Sequence, residues 1–267
     1  MNAIKKYFMF DELETNFKTE ILAGLTTFVS MCYILFVNPS VLGSTGMDKG
    51  AVFTATALSA AFGSILMGIL AKYPIATAPA LGVNAFFAYT VVMGMGVKWQ
   101  TALAAVFVAS LIFVAITIFK LREKIIDAIP QNLKYATSAG IGLFIAFLGL
   151  QQGKIIIANK ATLVGLGDFT TPGTLLTIFG LLVTVILMIR NVPGSIFIGM
   201  VLTAGVGMVT GLIPLPTKII AAAPSLAPTF GQAVKHVGDI NTVQLAVVVL
   251  TFLLVTFFDT AGTLVAL

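Results

Sequence analysis

Long runs of apolar residues recur along this chain, and each is long enough to form most or all of a membrane-spanning segment. A helix needs about 20 predominantly apolar residues to cross the hydrocarbon core of a bilayer. Charged residues make up only 9% of the sequence, against about 25% in an average soluble domain. We therefore predict an all-α polytopic membrane protein that resides in the lipid bilayer. About eight spans are expected, near residues 21–38, 51–71, 74–94, 100–119, 136–152, 173–189, 192–213 and 243–267.

The distribution of basic residues predicts on which side of the membrane each loop lies. Lysine and arginine are enriched in cytoplasmic loops, and most of the 15 in this chain lie on one side if the N-terminus is cytoplasmic. The densest cluster is in residues 120–135, which we predict to be an amphipathic helix on the inner surface. Residues 214–242 then form an external loop. The only histidine, His236, lies in that loop and is expected to be solvated.

Several kinds of site are disfavoured by the residues that the chain has. The net charge of +5 comes from basic residues in loops, so we expect no nucleic-acid partner. The single cysteine, Cys32, excludes a disulfide within the chain. We predict no metal site and no cofactor. An enzyme is also disfavoured, because GxSxG and HExxH motifs do not occur and the histidine is in a loop.

One acidic residue, Asp259, lies well inside an apolar run. Residues 240–258 carry no charge, and only uncharged residues follow Asp259. A carboxylate at the centre of a membrane helix costs about 2.5–3.5 kcal/mol on insertion scales, so it is expected to face a cavity or a partner. The alternative is a helix cap, in which the Asp259 oxygen accepts from backbone N–H groups that begin at Thr260. Both interpretations are compatible with a helix that is broken at this point.

The third apolar run, residues 74–94, is interrupted near its start. Pro74 and Pro79 favour extended backbone between them, and a run that can be helical begins near Asn84. The pattern predicts an extended piece followed by a half-helix whose N-terminal N–H groups face a cavity. A proline-kinked helix capped by Asn84 is the alternative. Asn84 offers an amide that donates and accepts, and Phe86 offers a flat aromatic surface.

Together these two features indicate the kind of ligand. An amide, a carboxylate, backbone N–H groups and a phenyl face suit a planar molecule with N–H and C=O edges. A carboxylate that can change its protonation also provides a site for a coupling proton. Lysine and arginine are absent from the middle of the predicted spans, so a carboxylate or sulfate substrate is less favoured.

Four stretches of the sequence form a recognisable set. They are GLTTFVSMCYILFVNPSVL (24–42), APALGVNAFFAYTVV (78–92), IPQNLKYATSAGIGLFIAFLGLQ (129–151) and FFDTAGTLVAL (257–267). In this order, and over nearly the whole chain, they resemble the azaguanine-like purine permeases. These are transporters of adenine, guanine and hypoxanthine that are related to the nucleobase–ascorbate transporters.

The resemblance implies proton-coupled uptake of purine nucleobases through a plasma (inner) membrane, by a fold of seven plus seven helices in inverted repeat. In that fold short strands interrupt the third and tenth helices, and the substrate lies between these helices and the eighth. The family's third-helix asparagine falls on Asn84, and its acidic eighth-helix residue falls on Asp259, the proton-coupling group. Phe86 and Thr263, which lies one turn beyond Asp259, complete the predicted substrate site.

The resemblance also predicts how the chain is divided. We expect a cytoplasmic N-terminus (1–20), a first transmembrane repeat (21–213), an external connecting loop (214–242) and the eighth span (243–267). The chain would then lack most of the second repeat, and we expect no transport by it alone. Thr256 stands where many family members have a second acid, which leaves its effect on proton coupling open. Open alternatives are a carrier of another planar or anionic solute, a non-transporting remnant, and a homodimer that supplies its own second half.

Overall fold

The computed structural model describes residues 2–119, 124, 130–215 and 221–266, and most of them are helical. The helices are α1 (Asn2–Tyr7), α2 (Phe17–Met31), α3 (Ile34–Gly43), α4 (Lys49–Ala71), α5 (Leu81–Gly94), α6 (Trp99–Ile118), α7 (Gln131–Gln152), α8 (Pro172–Ile189), α9 (Ser195–Val209), α10 (Gln232–Lys235) and α11 (Val243–Ala266). The end of α4 (Met67–Ala71) and most of α5 (Phe86–Gly94) are wound as π-helix. A short 3-10 helix (Val237–Asp239) follows α10.

Within the described part of the chain, 5 helices are long and apolar enough to cross a membrane. They are Phe17–Gly43 (α2, α3 and the bend between them), α4, α6, α8 and residues Val243–Thr260 of α11. Shorter apolar helices at Leu81–Gly94, Gly142–Gln152 and Ser195–Val209 account for the other predicted spans. Each predicted apolar run therefore contains a helix, which confirms a mostly helical, multi-pass membrane protein. The amphipathic helix predicted over 120–135 lies largely outside the described residues.

A β-hairpin between α7 and α8 departs from the all-α prediction. Its strands, β1 (Ile156–Asn159) and β2 (Leu163–Leu166), are antiparallel. Consecutive β-branched isoleucines at 155–157 favour a strand. The Asn159 side-chain oxygen accepts from the backbone N–H of Ala161 (2.8 Å), which organises the turn between the strands. The prediction is wrong here because it was based on apolar runs and did not weigh turn chemistry.

Residues 72–80, between α4 and α5, have no regular secondary structure. The predicted interruption of the third span is therefore confirmed, but the short strand expected there is not formed. A strand needs a hydrogen-bonded partner, and Pro74 and Pro79 have no N–H to donate to one. The backbone at Ala80 is extended (φ −71°, ψ 114°), and α5 begins at the next residue, Leu81.

The chain divides into two compact units that interleave along the sequence. The first unit comprises residues 1–36, 56–78 and 151–222, and the second comprises residues 37–55, 79–150 and 223–267. The substrate-site residues predicted from the sequence, Asn84, Phe86, Asp259 and Thr263, all belong to the second unit.

Helices α8 and α9 of the first unit pack closely through glycines. A Cβ atom added at Gly180 would overlap the side chain of Thr203, and one added at Gly199 would overlap that of Thr184. Each hydroxyl bonds within its own helix, Thr184 to the Gly180 carbonyl (2.8 Å) and Thr203 to the Gly199 carbonyl (2.6 Å). The two hydroxyls are therefore satisfied in apolar surroundings while the two backbones lie close together.

The core of the second unit lies mainly among α5, α6 and α11, and Val41 of α3 and Val52 of α4 also contribute to it. Small side chains on one face of α6, Ala102, Ala105 and Ala109, are buried in the same cluster as Val248 and Phe252 of α11. The alanines allow the larger side chains of α11 to pack near the α6 backbone.

Residues just before α11 lie against the beginning of α6. The Thr101 hydroxyl donates to Oδ2 of Asp239 (3.4 Å), and Nδ1 of His236 is 2.7 Å from the same oxygen. The expectation that His236 is simply solvated is therefore wrong, because its side chain is paired and only 35% exposed. Further along α6, the Phe113 ring lies 4.9 Å from that of Phe257 in α11. Helices α6 and α11 thus run in the same direction.

Candidate substrate-binding site

The N-terminal end of α5 provides polar groups in an otherwise apolar part of the chain. The helix begins after the extended residue Ala80, and the backbone N–H of Asn84 donates to the Ala80 carbonyl (3.1 Å). The N–H groups of the residues before it, Leu81 to Val83, have no acceptor within the helix and give this end a partial positive charge. The structure confirms the predicted half-helix with Asn84 in its first turn.

The Asn84 side chain is bonded to a second asparagine, which is not among the residues predicted for the site. Its Nδ2 donates to Oδ1 of Asn38 (2.5 Å), and Asn38 is only 3% exposed. Asn38 lies in α3 immediately before Pro39. A polar residue in an apolar run, next to a proline, was the signal that could have identified it. The bond fixes the plane of the Asn84 amide and engages one of its N–H groups, while its carbonyl oxygen can accept from a ligand N–H.

Aromatic side chains connect α5 with α11. The Phe86 ring lies 5.1 Å from the Phe252 ring, nearly perpendicular to it, and the Phe87 ring lies 6.4 Å from Phe252. Both separations are in the range of favourable aromatic pairs. Phe87 and Phe252 are buried, whereas Phe86 is half-buried. Phe86 is thus the ring of this group that has surface to offer a ligand.

The helix directions place Asp259 toward the first turn of α5. Helix α5 ends at Gly94 and α6 begins at Trp99, so α5 runs opposite to α6 and therefore to α11. Asp259 lies two turns beyond Phe252 on the same face of α11, a rise of about 10 Å. Because Phe252 contacts Phe86 and α5 runs the other way, that rise leads toward Asn84. Asp259 is half-buried there.

Helix α11 continues without a break through Asp259, so the helix-cap alternative for this carboxylate is wrong. The neighbouring threonines bond to their own helix. Oγ1 of Thr256 donates to the Phe252 carbonyl (2.8 Å), and Oγ1 of Thr260 donates to the Thr256 carbonyl (2.6 Å). Thr263 belongs to the same helix, but its side chain lies outside the described residues.

This arrangement offers the groups that a planar polar ligand needs. Asn84 supplies an amide, the start of α5 supplies N–H groups, α11 supplies a carboxylate and Phe86 supplies an aromatic surface. The described residues contain no group of three or more His, Cys, Asp or Glu side chains that could hold a metal.

Comparison with known proteins gives the family. Residues 18–267 match the sequence model of the Permease family. Guanine/hypoxanthine permease PbuG of Bacillus subtilis is 58% identical over 98% of this chain and 62% of its own length. PbuO of the same organism, also a guanine/hypoxanthine permease, is 43% identical over 97% of this chain and 60% of its own length. Adenine permease AdeP of Escherichia coli is 42% identical over 98% of this chain and 58% of its own length.

The chain thus spans about 60% of the length of these curated relatives. The match to the family covers both compact units and includes Asn38, Asn84 and Asp259. On these grounds the chain belongs to the Permease family.

Proposed function

We propose that this chain takes part in proton-coupled uptake of purine nucleobases such as guanine, hypoxanthine and adenine. Its relatives, which align with nearly the whole chain, are named as permeases for these bases. The protein acts as a transporter, and its substrate is the base itself.

The observation that carries the proposal is the bond between Asn84 and Asn38. Because Nδ2 of Asn84 is engaged, the carbonyl oxygen of this amide is the group that can accept from a purine N–H. The N–H groups at the start of α5 can donate to a ring nitrogen or carbonyl oxygen nearby. An N–H beside an acceptor is the pattern that the edges of guanine and hypoxanthine present.

Asp259 acts in this proposal as both the substrate acceptor and the proton-coupling group. The ionised carboxylate accepts a hydrogen bond from the base, whereas the protonated form carries no charge and can donate. A charge within the membrane is costly unless it is paired, so loading of the base and of the proton are linked at this one side chain. Phe86 packs against the ring of the base, and Thr263 supplies a polar contact one turn beyond Asp259.

The architecture that accompanies this function is a seven-plus-seven inverted repeat in the plasma (inner) membrane. Residues 1–20 are then cytoplasmic, residues 21–213 form the first repeat, residues 214–242 are external, and residues 243–267 form the eighth span. We also propose that the protein forms a homodimer.

Uptake of radiolabelled hypoxanthine, guanine and adenine in a strain without purine permeases tests the function. Two proteins are measured, the 267-residue chain and a chimaera that joins it to the part of PbuG outside the matched region. We expect saturable, uncoupler-sensitive uptake by the chimaera. Absence of purine uptake by both proteins, when both are detected in the membrane fraction, would contradict the proposal. Preferential uptake of a pyrimidine or an anion would support a carrier of another solute.

Orientation is tested with single cysteines at Lys124 and Lys235 in a Cys32→Ser background. An impermeant thiol reagent should label Lys235→Cys in intact cells and label Lys124→Cys only after permeabilisation. The reverse pattern would show that the N-terminus is external.

A further inference from the structure

The irregular segment at 72–80 presents a problem that a membrane protein must solve. Backbone N–H and C=O groups within a membrane need hydrogen-bond partners, and outside a helix they cannot find them in their own segment. Pro74 and Pro79 limit the number of N–H groups but do not remove those between them. The backbone groups of this segment therefore depend on neighbouring side chains.

A single side chain satisfies both backbone groups of Thr77. The Thr77 N–H donates to Oγ of Ser64 in α4 (2.9 Å), and the Ser64 hydroxyl donates to the Thr77 carbonyl (3.3 Å). A hydroxyl can do this because it is both a donor and an acceptor. Ser64 thereby supplies, for Thr77, the bonds that a neighbouring strand would otherwise provide.

The residue before Ser64 allows this close contact. A Cβ atom added at Gly63 would overlap Oγ1 of Thr77, so only glycine leaves room for the segment to lie against α4. Oγ1 of Thr77 itself is buried and has no hydrogen-bond partner among the described residues. The contact is therefore maintained by the backbone of Thr77 and not by its side chain.

The use of the Ser64 hydroxyl differs from that of most hydroxyls on the helices. Ser30, Ser110 and Thr117, for example, donate to the carbonyl four residues earlier in their own helix. Such a bond satisfies the hydroxyl locally and holds no other segment. Ser64 instead bonds to a residue 13 positions away in the sequence, outside its own helix.

We propose that Ser64 is a positioning residue for the substrate site. It holds Thr77, which is joined through only three residues to Leu81, the first residue of the helix that carries Asn84. The inference rests on the proposed function, because it concerns the same site. Gly63 contributes to the same contact, because the absence of a side chain there allows residues 72–80 to lie against α4.

Purine uptake by variants of the 267-residue chain and of the PbuG chimaera tests this role. Ser64→Ala should raise the KM for the purine about ten-fold and change the maximal rate less. Ser64→Thr should restore most of the affinity, because it keeps the hydroxyl. Ser110→Ala is the matched control, since its hydroxyl bonds only within α6, and it should leave the KM unchanged. Thr77→Val should also leave the KM within about two-fold, because it retains the backbone bonds.

Hydrogen exchange gives a measurement that does not depend on transport. In a peptide that covers residues 72–80, Ser64→Ala should expose about one additional fast-exchanging amide, that of Thr77. Ser110→Ala should expose none.

Unchanged exchange, or changed exchange with an unchanged KM, would overturn the positioning role. A large loss of affinity in Thr77→Val would also overturn it, because the side chain would then be the functional group. Absence of purine uptake by both unsubstituted proteins would contradict the proposed function instead, while exchange would still show whether Ser64 holds Thr77.

Discussion

Polar side chains within the apolar helices are used in two different ways in two regions of the molecule. In the α8–α9 pair, Thr184 and Thr203 bond to their own helices and pack against glycines of the neighbouring helix. In the second unit, Asn84 on α5 bonds to Asn38 on α3. The first arrangement brings two backbones together and leaves no polar group for a ligand. The second fixes a side chain that still has an acceptor to offer, which is what the proposed substrate site requires.

The largest effect is expected at Asp259, the only acid among the described residues of the second unit that lies inside an apolar helix. Asp259→Asn should lower proton-coupled purine accumulation about 100-fold or more, because hydrogen bonds to a charged group contribute about 1.5–3 kcal/mol and the titrating group is also lost. Accumulation is measured with radiolabelled purine, with and without an uncoupler. Asp168→Asn, which changes an exposed carboxylate in the loop before α8, is the control and should leave accumulation unchanged. Wild-type, uncoupler-sensitive uptake by Asp259→Asn would remove Asp259 from the site.

The next effect tests whether Asn38 and Asn84 act together. Each alanine variant should weaken purine binding by about 1–3 kcal/mol, because the bond that fixes the plane of the Asn84 amide is lost. Since the two amides share one bond, the double variant should lose little more than either single variant. The dissociation constants of the four proteins, measured by equilibrium binding to membranes, give the coupling. Additive losses would mean that the two asparagines act independently.

A moderate effect, on stability alone, is expected in the α8–α9 pair. Gly199→Ala should destabilise the protein by about 1–3 kcal/mol through overlap with Thr184, partly offset by the better helix propensity of alanine. Gly205→Ala is the matched control on α9, because a Cβ there meets no atom within 4 Å, and it should be neutral or stabilising. Thermal unfolding in detergent measures the difference. A change in the KM for the purine in Gly199→Ala would contradict a purely structural role for this pair.

The smallest effect is a pH dependence at the surface. The hydroxyl and then the backbone N–H of Thr170 donate to Asp168 and hold the pKa of its carboxyl below the ordinary value. The folded state therefore gains stability from Asp168 above the unfolded-state pKa and loses it as the pH falls through the lowered folded-state pKa. As the pH is lowered from about 5 to about 2, the melting temperature of Asp168→Asn should fall less than that of the unsubstituted protein. Parallel curves for the two proteins would show that the Thr170 bonds contribute nothing.

Much of the fold could be predicted because membrane spans depend mainly on composition within a segment. The apolar runs correspond to helices, and the prolines around residues 75–78 correctly marked the interruption of the third span. Asn84 and Asp259 stand out in the sequence as candidate site residues because a polar side chain in such a run needs a partner. Their partners could not be identified from spacing, since Asn38 and Asn84 are 46 residues apart and only the tertiary structure brings them together.

Features that depend on local hydrogen bonds were missed for a different reason. The hairpin at 156–166 depends on the Asn159 side chain that organises its turn, which an argument from apolar runs does not consider. His236 is paired with Asp239 three residues later, but whether a loop folds so that two such side chains meet depends on its backbone. The interruption at 72–80 was expected to be a strand, and no sequence pattern indicated that one serine on α4 would take the place of a partner strand.

The π-helical winding of α5 has a consequence for Asn84. Its hydrogen bonds span five residues, as in the bond from the Met95 N–H to the Thr90 carbonyl (2.9 Å), and such stretches are often found at functional sites. If the stretch tightened to an ordinary α-helix, the turn at its N-terminal end would rotate around the helix axis relative to its C-terminal end, because the number of residues per turn would change. That rotation would carry Asn84 away from Asn38 and break their bond. The winding of Phe86–Gly94 therefore helps to determine which way the Asn84 amide faces.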